Sequence, residues 1–156
     1  MCVKYKIYCD LDGVLVDFSQ GYYDLTGIDL KGKHYNDEKF WDPVNKSGYD
    51  FWVNLKRTKN GKKLWKYIKK YNPDILSTPS NQIESRIGKY DWVKRELLDA
   101  RLILRSADRK KDFADYNSIL IDDNMNNIND WKNAGGITIY HTSARDTINQ
   151  LKILGL

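Results

Sequence analysis

The chain has 156 residues, enough for one domain with room for a small insertion. Hydrophobic residues make up 41% of it and aromatic residues 13%, which supports a packed core and excludes a disordered chain. No apolar run approaches the ~20 residues of a membrane span, and the formal charge of +5 favours anionic ligands without separating nucleotides from nucleic acid.

The opening "MCVKYKIY" runs straight into a strand pattern. No secretory signal is read there, so a cytoplasmic protein is expected. Cys2 and Cys9 lack the neighbours of a zinc site and read as reduced thiols, Cys9 as a small buried strand residue.

In chain order, "VKYKIYC" (3–9) reads as the first strand. The stretch from 18 to 60 then breaks the pattern. It has no convincing strand, it is punctuated by Gly21, Gly27, Gly32 and Gly48, and it holds Phe18, Tyr22, Tyr23, Tyr35, Phe40, Trp41, Tyr49, Phe51 and Trp52. It is expected to be a small helical cap inserted after the first strand, covering a core made of 1–17 and 61–156. A helix follows over 61–71, with Leu64, Trp65, Ile68 and Tyr71 on one side and lysines elsewhere. "DILS" (74–77) is the second strand, and 89–98 is a helix with Tyr90, Val93 and Leu97 on one face. "RLILR" (101–105) and "SILI" (118–121) are the third and fourth strands. Residues 124–134 form a helix that groups Met125, Ile128 and Trp131; "GITIY" (136–140) is the fifth strand. A last helix spans 144–154, with Ser143 as its N-cap, Asp146 at N3, and Ile148, Leu151 and Leu154 aligned. Strands alternating with helices predict an α/β fold: a three-layer, doubly wound parallel sheet.

The strand ends carry the chemistry. The first ends in Asp10 and Asp12, the fourth in Asp122 and Asp123. Each aspartate alone reads as a helix cap. Four on neighbouring strand ends read as a carboxylate cluster, whose repulsion raises pKa values or is relieved by a cation. An all-oxygen donor set without His or Cys suits a hard ion, Mg²⁺ where phosphate is present. The second strand ends in Ser77 and Thr78, hydroxyl and N–H donors able to hold phosphate oxygens. Lys110 and Lys111 lie about a dozen residues before Asp122 and offer the positive charge that a carboxylate nucleophile and a phosphoryl group both need.

These residues resemble a known family. "DLDGV" (10–14), Ser77, Lys110 or Lys111, and Asp122-Asp123 are similar, in that order, to the four motifs of the haloacid-dehalogenase-like (HAD) phosphatases. "CDLDGVLVDF", "ILSTPS", "GKYDWVKREL" and "SILIDDNMNNINDWKNAGGITIYHTSA" look like the 5'(3')-deoxyribonucleotidase branch. The resemblance implies a Mg²⁺-dependent phosphatase for (deoxy)nucleoside monophosphates. It implies Asp10 as nucleophile, forming an aspartyl-phosphate, and Asp12 as general acid and then base. Mg²⁺ would lie on Asp10, the backbone carbonyl of Asp12 and one of Asp122 and Asp123. Ser77, Thr78, Lys89 and the motif-three lysine would hold phosphate; Lys110 fits that motif better than Lys111 by its spacing to Phe113-Ala114. Phe18, eight residues after the nucleophile, would touch the base or sugar, with Phe40 and Trp41 beside it. Asp17 has no catalytic role in this reading and caps or faces solvent.

Three functions compete on the sequence. A nucleotidase predicts a closed pocket with a stacking ring. A phosphatase of nucleic-acid 3'-ends predicts an open basic groove and salt-sensitive binding. A non-catalytic nucleotide-binding module has no need of both Asp10 and Asp12. A small-molecule nucleotide is the expected partner.

Overall fold

β1 (Lys6–Cys9) occupies the middle of a five-stranded parallel sheet of order β3-β2-β1-β4-β5. The computed structural model describes residues 4–31 and 37–156. Val3, Cys2, Gly32 and Tyr35 lie outside the described residues. β2 is Asp74–Ser77, β3 Leu102–Leu104, β4 Ser118–Asp122 and β5 Ile137–Tyr140. All five strands stand where the sequence pattern puts them, shorter by one residue or more at some ends. β4 gains Asp122, which pairs with Tyr140.

The strands alternate faces as the pleat requires. Ile75, Ile119 and Ile121 enter one hydrophobic cluster, while Leu76 and Leu120 enter another with Ile103, Ile128 and Trp131. Both faces of the sheet are therefore covered, which gives three layers. The chain moves outward from β1 to β2 and β3, then returns to β4 on the other side of β1. That reversal makes β1–β4 the topological switch point, where an open α/β sheet leaves a crevice beyond its carboxyl ends.

Between β1 and β2 lie α1 (Phe18–Thr26), α2 (Glu38–Ser47), α3 (Tyr49–Val53) and α4 (Gly61–Ile68), which runs into a 3-10 turn at Lys69–Tyr71. Asp17 caps α1 by accepting from Gln20 N. Phe18, Tyr22, Phe40, Trp41, Phe51 and Trp52 form one cluster of rings beneath α1–α3. The segments entering and leaving this region run side by side: Asp17 N donates to Lys56 O, and Thr58 N to Leu15 O.

α5 (Ile83–Glu96), α6 (Met125–Asn133) and α7 (Ala144–Ile153) complete the layers. Ser143 caps α7 through Asp146 N. α5 departs from expectation. It begins six residues before 89, and Tyr90 is exposed. Its buried side is Ser85, Gly88, Lys89, Trp92 and Val93, too polar to leave an apolar period. Gly88 sits against α3: a Cβ there would lie 2.5 Å from Trp52 Cβ and 3.3 Å from Tyr49 O. Met125 is likewise exposed, at the first turn of α6, apart from the buried Ile128 and Trp131. Among the described residues no helix is long and apolar enough to cross a membrane.

Candidate active site

The ladder between β1 and β4 sets Asp10 beside Asp122. Cys9 pairs with Ile121, and Asp10 N donates to Ile121 O at 2.9 Å. Asp10, Asp122 and Asp123 each offer a carboxylate oxygen within 4.8 Å of one another. Asp122 is fully buried; its Oδ1 accepts from Asn124 N, and its Oδ2 from Asn127 Nδ2 at 3.0 Å. Asn124 caps α6, so the helix start holds the carboxylate in place.

Lys110 closes this cluster from the 3-10 helix Ala107–Phe113. Its Nζ donates to Asp10 Oδ1 at 3.0 Å and to Asp122 Oδ2 at 2.9 Å. Phe113 anchors the segment by packing its ring on Tyr8, centroids 5.6 Å apart. Lys111 is exposed, and the contacts to both carboxylates belong to Lys110. Burial, then the charge of Asp122, pushes the Asp10 carboxyl well above the usual range, with Lys110 opposing. Burial pulls the Lys110 ammonium down, but Asp10 and Asp122 outweigh it and hold the group above its ordinary value. Cys9 is fully buried; burial and then Asp10 push its thiol well up, which suits an inert core residue.

A second buried lysine serves the second aspartate. Lys89 Nζ, from α5, donates to Asp12 Oδ2 at 2.5 Å and to Ser77 Oγ at 3.2 Å, and lies 4.9 Å from the Trp52 ring centroid. Asp12 Oδ1 and Thr78 Oγ1 are buried with no hydrogen-bond partner among the described residues. Leaving such groups unpaired costs about 1–3 kcal/mol each, the signature of atoms aimed at a ligand. Ser85 Oγ accepts from Ser80 N at 2.8 Å and fixes the loop after Thr78. The Asp12 carboxylate stands outside the three-aspartate group and faces Lys89 instead.

Gly13 makes the approach possible. Its φ is +81°, and a Cβ there would lie 2.0 Å from Asp123 Oδ2. The donor set is all carboxylate, partly charge-compensated and within one ion's reach. Those features fit Mg²⁺.

Beyond these groups opens a cavity of about 1310 Å³. Asp12 and Thr78 line it together with Phe18, Phe40, Trp41 and Trp52. Phe40 is buried; Phe18 and Trp41 are half-buried. The expected residues Asp10, Asp12, Ser77, Lys89, Lys110, Asp122 and Asp123 thus meet at one sheet edge, and the expected rings form one cavity wall. Sequence reading missed Trp52 as a neighbour of Lys89, Asn127 as a donor to Asp122, and His141. His141 lines the same cavity, with Nδ1 2.7 Å from Thr147 Oγ1. It stands one residue beyond β5, at the same strand edge as the aspartates, and that position was the available signal.

No protein-family model matches the sequence, and no curated protein matches it either. Solved structures do share its fold. A haloacid dehalogenase-like family hydrolase from Streptococcus pneumoniae is 15% identical with TM-score 0.57, over 99% of both chains. A HAD family hydrolase from Deinococcus radiodurans, with bound phosphate and sodium, is 13% identical with TM-score 0.55, over 88% of this chain and 80% of that one. A protein from Bacillus subtilis assigned as a HAD-hydrolase, YfnB, bound to magnesium, is 14% identical with TM-score 0.57, over 86% of each. The chain therefore has the α/β fold of the haloacid-dehalogenase-like hydrolases.

Proposed function

We propose that the protein is a haloacid-dehalogenase-like phosphatase that hydrolyses (deoxy)nucleoside monophosphates, in the manner of a 5'(3')-deoxyribonucleotidase. The observation that carries the reading is the double pairing at the end of β1. Asp10 meets Lys110 and Asp12 meets Lys89, and Asp12 also lines the aromatic-walled cavity. A binding module gains nothing from two aspartates two residues apart, each paired with its own buried lysine.

In this reading Asp10 attacks phosphorus and the ester P–O bond breaks. Asp12 gives its proton to the leaving nucleoside oxygen. Asp12 then takes a proton from water as that water attacks the aspartyl-phosphate, which frees inorganic phosphate and restores Asp10. Lys110 holds one Asp10 oxygen and orients the nucleophile. Lys89 with Ser77 and Thr78 receives the phosphate oxygens. A magnesium ion held by Asp10, Asp122 and Asp123, with the Asp12 carbonyl, would neutralise charge so that two anions can meet. Residues 18–60 act as the cap over a core of 1–17 and 61–156. Phe18, Phe40 and Trp41 hold the nucleoside by stacking and exclude water.

A phosphate-release screen over nucleoside monophosphates, sugar phosphates and 3'-phosphorylated oligonucleotides tests the proposal. Release from dUMP or dTMP, lost when Mg²⁺ is removed, is expected. No release from any of the three classes overturns it.

A further inference from the structure

The basic character of the chain is concentrated on one helix. Lys59, Lys62, Lys63, Lys66, Lys69 and Lys70 fall within twelve residues, and no acidic residue stands between Asp50 and Asp74. Without these six, the chain has 20 basic against 21 acidic residues, a net charge of −1 in place of +5. Lys62, Lys63, Lys66, Lys69 and Lys70 are all exposed, and none forms an ion pair among the described residues.

Helical spacing puts these five on one side of α4 and its 3-10 extension. At about 100° per residue they fall within an arc of about 120°, along about 12 Å of helix axis. Like charges three and four residues apart repel by a few tenths of a kcal/mol each, and among the described residues no ion pair relieves them. Lys59 and Asn60, just before α4, line the candidate active-site cavity. α4 leads from there to β2, from the carboxyl edge of the sheet to its opposite edge. The lysine face is a strip that starts at the cavity mouth.

We infer that this strip docks the phosphate backbone of a single-stranded nucleic acid. The surface chemistry favours a uniformly charged polymer. Leu64 and Ile68 of α4 are fully buried, and the half-buried Trp65, Tyr67 and Tyr71 pack against the core, with Lys70 over both tyrosine rings, so the segment has no fully exposed apolar side chain to insert into a lipid surface. Nor does it present an exposed aromatic or aliphatic anchor of the kind that dominates protein interfaces. Lysine point charges without arginine suit non-specific contacts to phosphate. Nucleic acid goes beyond the mononucleotide substrate proposed above. Binding rests on that reading only for where a strand end would lie.

The test is fluorescence anisotropy with a short oligodeoxythymidylate that carries no terminal phosphate. The intact protein binds it, and log K falls with log salt at about −0.7 per lysine engaged, so near −3 for four or five. The variant K62E/K66E/K69E loses the binding, and K62Q/K66Q/K69Q reduces the slope by about 2. Both variants melt no lower than wild type, since each removes like-charge repulsion, and both keep mononucleotide hydrolysis. Mononucleotide hydrolysis without oligonucleotide binding overturns the strip alone; binding without hydrolysis overturns the phosphatase reading alone. Wild-type binding by the glutamine variant, or equally tight binding of polyglutamate or phosphatidylserine vesicles, also overturns the inference.

Discussion

Lys110 reaches Asp10 across one hundred residues of sequence, Nζ to Oδ1 at 3.0 Å, and the same ammonium lies 2.9 Å from Asp122. The lysine is 2% exposed. Removing one partner of a buried ion pair costs about 3–5 kcal/mol, because it leaves an uncompensated charge inside. Lys110→Met is expected to lose that much stability in urea unfolding without divalent metal. Lys111→Met stays within about 0.5 kcal/mol of wild type, as exposed substitutions do. Equal effects at the two positions would contradict the geometry.

Asp10→Asn separates chemistry from folding. In this variant Lys110 keeps its bond to Asp122 Oδ2, and the amide oxygen at position 10 can still accept from it. A neutral amide of the same shape therefore leaves no buried charge unpaired and costs the fold little. Phosphate release should fall to background while the unfolding midpoint stays close to wild type. A variant that keeps substantial phosphatase activity removes Asp10 as nucleophile.

Phe18 touches five rings, with centroid distances from 5.5 Å to Phe51 up to 6.3 Å to Tyr22, and it also lines the cavity. Phe18→Ala is expected to cost about 2 kcal/mol, below the 3–5 of a fully buried ring because Phe18 is half-buried. Phe18→Leu restores most of that stability but not the stacking face. KM for a nucleoside monophosphate should rise several-fold in both variants, with kcat largely kept. A folded variant with unchanged KM places Phe18 in the core alone.

The strands and the acidic strand ends were legible because both carry local signals. A short run rich in apolar and β-branched residues, bounded by polar ones, reads as a buried strand, and Asp10, Asp12, Asp122 and Asp123 stand at the ends of such runs. The start of α5 was not legible. Its packed side presents Ser85, Gly88 and Lys89, residues that normally mark an exposed face. Lys89 is buried because Asp12 and Ser77, from other elements, receive its charge. His141 was missed for a related reason. Its placement depends on Thr147, a buried residue near the start of α7, and on the backbone bond from His141 N to Asp122 O.

His141 has a consequence for acid stability. Burial lowers its pKa below the usual 6.5, with Asp146 opposing. The unfolded chain therefore binds a proton in a pH window where the folded chain does not. Stability contributed by neutral His141 is full above the unfolded value near 6.5 and is lost as pH falls through the lower folded value. Unfolding free energies measured across this range should rise with pH, and His141→Asn should flatten the rise. The wild-type-minus-variant difference cancels the titration of His34, which lies outside the described residues. An unchanged slope would mean that the imidazole is solvated in the folded protein.

Gly13 gives the sharpest test of the metal reading. A Cβ would fall 2.0 Å from Asp123 Oδ2 and 2.5 Å from its Cγ, and φ of +81° is costly for any other residue. Gly13→Ala must push the Asp123 carboxylate away from Asp10 and Asp122. Mg²⁺ stabilises a folded protein in proportion to its affinity for the folded state. The wild-type melting temperature should therefore climb with added Mg²⁺ and fall back with chelator. In Gly13→Ala the starting temperature is lower and the Mg²⁺-dependent climb needs a much higher concentration. Asp123→Asn, which removes charge without moving the backbone, should weaken the same response while keeping the starting temperature. If all three proteins respond alike to Mg²⁺, Asp123 does not hold the ion, and the carboxylate group reduces to Asp10 and Asp122 bridged by Lys110.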